Sequence, residues 1–220
     1  MDFYAFIEGP LCWLAFLVCG VGCTTRIILF LATARRQDKV FNQYFCWYYA
    51  LASIFSWLLP FNRSVAKTPG FSIAAYCFHI CLILPLFAYQ HVLLLKMSCL
   101  AFSYPSLPAE LVEWLTLLFL AITIYLLLRR IFSPNIKLLT TLADYLLLIA
   151  TALPFVTGYL AAHGNLGREG VVMSNMQLIH MLSGELILIL IPFTKLSHFV
   201  LFFLSRAATG VEFGRRGYVA

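Results

Sequence analysis

Five histidines, His79, His91, His163, His180 and His198, are the side chains of this 220-residue sequence best suited to chemistry. An imidazole ligates a metal through one ring nitrogen or carries a proton near neutral pH, and either role needs a partner. Four of the five fall inside apolar runs, where an ionisable group is expensive unless it is paired or ligated. His79 and His91 share one run, and His180 and His198 share another. His180 and His198 are 18 residues apart. On a continuous helix that is five whole turns, so one face would present both imidazoles about 27 Å apart. His79 and His91 are 12 residues apart, about 18 Å, with roughly a third of a turn between them on an ideal helix. Pro85 and Pro192 interrupt these runs, and each removes a helical hydrogen bond and bends the axis.

The elements that must carry these residues are membrane helices. Hydrophobic residues make up 62% of the chain and charged residues 11%, against about 45–50% and about 25% in a soluble domain. So little charge cannot cover a water-facing surface, which argues against a soluble enzyme, a disordered chain, a secreted disulfide scaffold and a nucleic-acid-binding domain. Apolar runs long enough to cross about 30 Å of hydrocarbon occur at 10–34, 71–98, 110–130, 142–161 and 177–204. A sixth run, 40–60, is also long enough, but its aromatic and polar content suits an interfacial helix. The reading is a single all-α membrane domain of five transmembrane helices, with 35–70 as an interfacial or cytoplasmic segment and 205–220 as a cytoplasmic tail.

Charge orients this bundle. With five spans, every Lys and Arg outside them except Arg168 falls on one side, whereas a spanning 40–60 helix would weaken the asymmetry. Positive residues favour the cytoplasm. The expectation is therefore a multi-pass protein of a bacterial inner membrane, with its N-terminus periplasmic and its C-terminus cytoplasmic, and the net charge of +6 needs no nucleic acid to explain it. Residues 1–10 carry no Lys or Arg, so no cleaved signal peptide is expected.

In this topology the run 71–98 ascends and 177–204 descends. His91 then shares the outer depth with His180, and His79 shares the inner depth with His198. Two imidazoles facing each other across helices supply the fifth and sixth ligands of a haem iron. The pattern predicts a five-helix di-haem bundle, with two b-type haems ligated by His91/His180 and His79/His198. The seven cysteines include no Cys-x-x-Cys and no Cys-x-x-Cys-His, so they read as small packing residues. Iron–sulfur chemistry would then belong to partner subunits. No close Cys, Glu and His set favours zinc, and no GxGxxG supports an independent nucleotide-dependent reductase.

The stretches FHICLILPLFAYQH at 78–91, DYLLLIATALPFVTGYLA at 144–161, HMLSGELILILIPFTKLSHF at 180–199 and the C-terminal EFGRRG resemble the cytochrome b family of the nitrate reductase gamma subunit. More closely, the chain resembles the membrane cytochrome b subunits in redox complexes of sulfate-reducing bacteria built around the high-molecular-weight cytochrome c or type II cytochrome c3. The resemblance covers most of residues 1–217, and its most specific element is the 18-residue spacing of His180 and His198. The spacing of His79 and His91 is wider than in the gamma subunit. What the resemblance implies is a subunit of a respiratory complex exchanging electrons with menaquinone and with a cytoplasmic iron–sulfur subunit similar to heterodisulfide reductase. A periplasmic multihaem cytochrome c and other membrane subunits would be its further partners.

Within that picture Lys96 is a candidate for a quinone carbonyl or haem propionate, with snorkelling to the headgroups as the alternative. Arg26 and Lys195 are propionate candidates, since a guanidinium matches a carboxylate bidentately. Glu185 is a proton-relay candidate or a helix-to-helix hydrogen bonder. His163 reads as a loop or quinone-site residue. The competing account of the whole chain is a haem-free membrane anchor or a small proton-coupled transporter subunit.

Overall fold

The computed structural model describes residues 3–37, 45–59, 67–98, 105–163 and 175–217, with the side chains of 94–98 set aside. They form α1 (Cys12–Gln37), α2 (Trp47–Leu58), α3 (Pro69–Ile83), α4 (Tyr89–Ser98), α5 (Ala109–Phe132), α6 (Leu142–His163), α7 (Met176–Phe193) and α8 (His198–Arg215). Among the described residues there is no strand, and a single isolated bridge pairs Ala88 with Leu107.

Among the described residues, five helical stretches are long and apolar enough to cross a membrane: Phe3–Arg36, Pro69–Phe87, Ala109–Phe132, Leu142–His163 and Met176–Phe193. Large apolar side chains such as Leu17, Trp114 and Phe132 point outward and are exposed, which suits contact with lipid rather than water. The first stretch includes a π-turn at Ile7–Leu11 that accommodates Pro10, a local widening that such turns permit inside a longer helix. The described helix within 40–60 has 12 residues. At 1.5 Å per residue it is about 18 Å long, well short of the hydrocarbon thickness.

Two of the expected spans are broken, and prolines explain both. The run 71–98 is not one helix. α3 ends at Ile83, a 3₁₀ turn follows at Leu84–Phe87, and Ala88 is extended before α4 begins. Pro85 has no N–H to continue the ladder, and the break is held open where the Leu107 N–H donates to the Phe87 carbonyl at 2.8 Å. The run 177–204 is likewise two helices. α7 stops one residue after Pro192, and Thr194 turns the chain with an extended backbone. Its hydroxyl accepts from the Leu196 N–H at 3.3 Å, capping a 3₁₀ turn at Lys195–Ser197. His198 starts α8. The straight five-turn helix projected between His180 and His198 is therefore corrected, and residues 205–215 are the helical continuation of α8.

The chain divides into two compact units, one of residues 1–12 and 74–187 and the other of 13–73 and 188–220. In the first, α5 packs on α6, with Phe119 fully buried. Its ring lies 4.7 Å from that of Phe78 on α3 and stacks on Phe155 of α6 at 3.8 Å. Buried Thr116, Thr123, Thr151 and Thr157 each return their hydroxyl to the carbonyl four residues earlier, so none of these four hydroxyls is stranded against apolar neighbours. Asp144 accepts from the Thr141 N–H at 2.9 Å to cap α6, and the Arg130 guanidinium donates to the Asp144 carbonyl at 2.7 Å.

In the second unit, α2 lies against α8. Gly210 and Gly214, one turn apart, are both buried. A methyl group on the first would overlap the Tyr49 carbonyl and Ser53, and on the second the Tyr49 ring. Small residues at this spacing let two membrane helices approach closely. Arg206 stacks 4.0 Å above the Trp57 ring, a cation–π contact.

Candidate functional site

The first unit brings His91 of α4 and His180 of α7 together. Their Nε2 atoms are 3.4 Å apart, with ring centroids 5.7 Å apart and planes inclined at 25°. The helix break gives His91 its orientation. His91 Nδ1 lies 2.9 Å from the Pro85 carbonyl oxygen six residues back, out of reach along an unbroken helix because six residues rise about 9 Å. His180 Nδ1 lies 2.8 Å from the carbonyl of Pro154 on α6.

A carbonyl only accepts hydrogen bonds, so each Nδ1 carries the proton and donates. The two Nε2 atoms of the neutral rings then face each other with lone pairs, and neither has a hydrogen to offer. Such an arrangement calls for a cation between them, either a proton or a metal. Nδ1–H donated to a carbonyl, leaving Nε2 to ligate, is also the outer-shell pattern that fixes and strengthens histidine ligands. The donor set fits a haem iron. Among the described residues no group of three or more His, Cys, Asp or Glu side chains converges, so a metal bound here needs its remaining ligands from a macrocycle or solvent. Two metal–nitrogen bonds of about 2.0–2.1 Å ask for about 4.0–4.2 Å between the nitrogens, more than the observed 3.4 Å, so the rings would part by under about 1 Å to admit a metal.

Further groups surround His180. The Thr157 hydroxyl lies 3.4 Å from His180 Nδ1 and 3.2 Å from the Ser183 hydroxyl, and Ser183 donates to the His180 carbonyl at 2.8 Å. Gly158 faces the ring itself, and a Cβ there would lie 2.9 Å from His180 Cε1. Pro85, Pro154, Thr157, Gly158 and Ser183 were not identifiable as site residues from spacing, because they act through backbone carbonyls, hydroxyls and an absent methyl. The one available signal was Pro154 and Gly158 standing four residues apart on a span, facing a partner helix that carries a histidine.

The other two histidines expected as haem ligands repeat half of the pattern, each within its own unit. His79 on α3 donates from Nδ1 to the Ala75 carbonyl at 2.7 Å, and His198 donates to the Lys195 carbonyl at 2.9 Å. Both imidazoles are exposed. His163 is placed differently. Its Nδ1 is 2.9 Å from the Tyr159 carbonyl, its Nε2 is 3.3 Å from Glu113, and its ring stacks on Tyr159 at 4.3 Å. Its two nitrogens face the Tyr159 carbonyl and the Glu113 carboxylate, so His163 ties the C-terminus of α6 to α5.

Arg26 donates from Nε to the Pro192 carbonyl at 2.8 Å. Because α7 ends at Phe193, Leu196 turns its N–H to Thr194 instead, and the Pro192 carbonyl is open to the guanidinium. Lys195 is exposed in the 3₁₀ turn before His198. Glu185 is buried on α7, and its Oε2 has no hydrogen-bond partner among the described residues. The backbone of Lys96 belongs to α4, but its side chain lies outside those described.

Fold and site together define a multi-pass α-helical membrane protein with a converging pair of histidines. The chain is 37% identical over 221 residues, covering 97% of it and 95% of the relative, to a protein of Nitratidesulfovibrio vulgaris described simply as "Protein". It belongs to the same family as that protein. No protein-family model and no solved structure matches it.

Proposed function

We propose that the chain is a di-haem b subunit of a respiratory redox complex. It passes electrons across the membrane between menaquinone or a periplasmic multihaem cytochrome c and a cytoplasmic iron–sulfur subunit similar to heterodisulfide reductase. The observation that carries this reading is the His91–His180 pair, with both Nδ1 protons committed to proline carbonyls and both Nε2 lone pairs aimed at one point. The resemblance of four sequence stretches to membrane cytochromes b points the same way, as does the basic bias of one face.

Haem iron supplies one-electron chemistry that no side chain of this chain provides. The protein's own contribution is to orient and insulate. The carbonyls of Pro85 and Pro154 hold each ring in one tautomer and raise the basicity of its ligating nitrogen. The apolar helices exclude water and lower the local dielectric, which sets the potential. His79 and His198, with Nδ1 likewise bound to carbonyls, are the ligand candidates for the second haem. Arg26, Lys195 and Lys96 are assigned to propionates or quinone, and Glu185 to the proton that accompanies quinol oxidation.

The test is optical. The purified chain, or the complex that contains it, should show a b-type α band that appears with dithionite, at two haems per chain. The competing reading, a haem-free anchor or proton-coupled transporter subunit, draws on the same lone-pair confrontation, because a shared proton also satisfies it. A preparation without that band, in membranes competent to make other b-type cytochromes, overturns the haem assignment.

A further inference from the structure

We propose that Gly158 is a positioning residue of the His91–His180 pair, whose missing side chain seats the His180 ring against α6; the proposal rests on the haem reading above. His180 is clamped at both ends. Nδ1 donates to the Pro154 carbonyl at 2.8 Å, and Nε2 meets His91 at 3.4 Å. The flank of the ring lies against Gly158, where a Cβ would stand 2.9 Å from Cε1, 3.1 Å from Nδ1 and 3.6 Å from Nε2. The first distance is shorter than carbon atoms tolerate, and the ring is not the loose end of a flexible chain. A methyl group there has two outcomes. Either the imidazole swings away and loses the Pro154 carbonyl, or α6 and α7 separate and Nε2 leaves His91.

Pro154 and Gly158 stand four residues apart on one face of α6. One supplies the acceptor, and the other supplies the space that lets the ring reach it. Thr157 lies between them, with its hydroxyl against both His180 Nδ1 and Ser183. The segment Pro154 to Gly158 therefore forms a seat for a single imidazole, and the geometry of the pair is set from α6 although α6 donates no ligand.

The experiment compares Gly158→Ala with Gly184→Ala in the full chain. Gly184 is on α7 with His180, and a Cβ there meets nothing within 4 Å, so it controls for the effect of a helical Gly→Ala change. The readouts are electron paramagnetic resonance of the ferric haems, which reports the mutual orientation of the imidazole planes, and retention of haem against an apo-protein acceptor. Gly158→Ala should alter one of the two low-spin signals and weaken retention of that haem by about tenfold or more, the scale of outer-shell losses. Gly184→Ala should match wild type. An unaltered spectrum and unaltered retention in Gly158→Ala overturn the proposal.

If Gly158→Ala does not accumulate, the double variant Gly158→Ala/His180→Ala decides. Recovery to the level of His180→Ala alone assigns the defect to the contact with the ring, and no recovery overturns it. A wild-type protein without a b-type band defeats the haem reading before any variant is compared. The coupling of the same two substitutions in melting temperature then still tests whether Gly158 seats the ring.

Discussion

Removing His91 and His180 together should cost no more haem than removing either alone. The Nε2 atoms are 3.4 Å apart, too close for two separate irons, each of which needs about 2 Å to its own ligand. One iron therefore takes both nitrogens. If two haems are present per chain, His91→Ala, His180→Ala and the double variant should each retain one, where independent sites would leave none in the double variant. The non-additivity equals one whole haem, and residues that share a partner are where additivity fails. Haem is counted by pyridine haemochrome against protein by amino-acid analysis. A second quantity follows from the same geometry. In the haem-free chain, His91→Ala deletes one of two lone pairs that face each other and strands only the Pro85 carbonyl, which already accepts from the Ala88 N–H at 3.0 Å. The apo-protein should lose less than about 1 kcal/mol, since the net worth of one hydrogen bond is ~1 kcal/mol. A double variant without haem, or an apo His91→Ala protein that fails to accumulate, would refute the shared-iron geometry.

Three other outcomes follow from the packing. Gly214→Val should push α2 from α8 and cost about 1–3 kcal/mol, the usual range for overpacking, read as a lower melting temperature in detergent. Asp144→Ala removes the acceptor for the Thr141 N–H at the start of α6 and should cost about 1 kcal/mol on the same assay, leaving haem content intact. Glu113→Gln breaks an ion pair whose side chains are 34% and 43% exposed, so it should cost under about 1 kcal/mol. The b-type spectrum should not change, and a lost haem would show that the Glu113–His163 contact supports a haem site.

How much of this was legible in the sequence depended on what kind of signal each feature leaves. Membrane helices announce themselves by composition, and five stretches of sufficient length lie where apolar runs predicted them. The pairing of His91 with His180 came from depth and topology alone, and the structure brings those two rings together within the first unit. Helix continuity was misjudged. Runs 71–98 and 177–204 are uniformly apolar, so hydropathy does not register a change of backbone conformation inside them, and a proline in such a run bends a helix or ends it with the same sequence signal. Thr157 and Ser183 leave no signal for another reason, because a hydroxyl carries no periodicity, and Gly158 leaves only its four-residue spacing from Pro154. The bond from Arg26 to the Pro192 carbonyl leaves no sequence signal, because it depends on α7 stopping there.

The prolines give these features one physical cause. In lipid, an unpaired backbone carbonyl and a polar side chain are each expensive, and each removes the other's cost by pairing. At Pro192 the helix ends one residue later, so its carbonyl lacks the usual N–H four residues on and Arg26 donates to it instead; at Pro85 the carbonyl accepts from the Ala88 N–H in the 3₁₀ turn and takes His91 on its second lone pair. At Pro154 the helix continues, and the carbonyl takes His180 on its second lone pair. A straight helix would have left His91 reaching for its own turn, with Nε2 pointing wherever the rotamer fell. Ending α3 at Ile83 costs a few ladder bonds and gains an acceptor that pins the ring. The broken spans are therefore where the chain gives up regular structure to aim its ligands, and restoring helix continuity should disorient His91 before it destabilises the bundle. Pro85→Ala is the substitution that separates the two effects: it should alter the low-spin resonance signal of the His91–His180 haem while the melting temperature holds or rises, and a fall in melting temperature with an unaltered signal would show that the break serves packing alone.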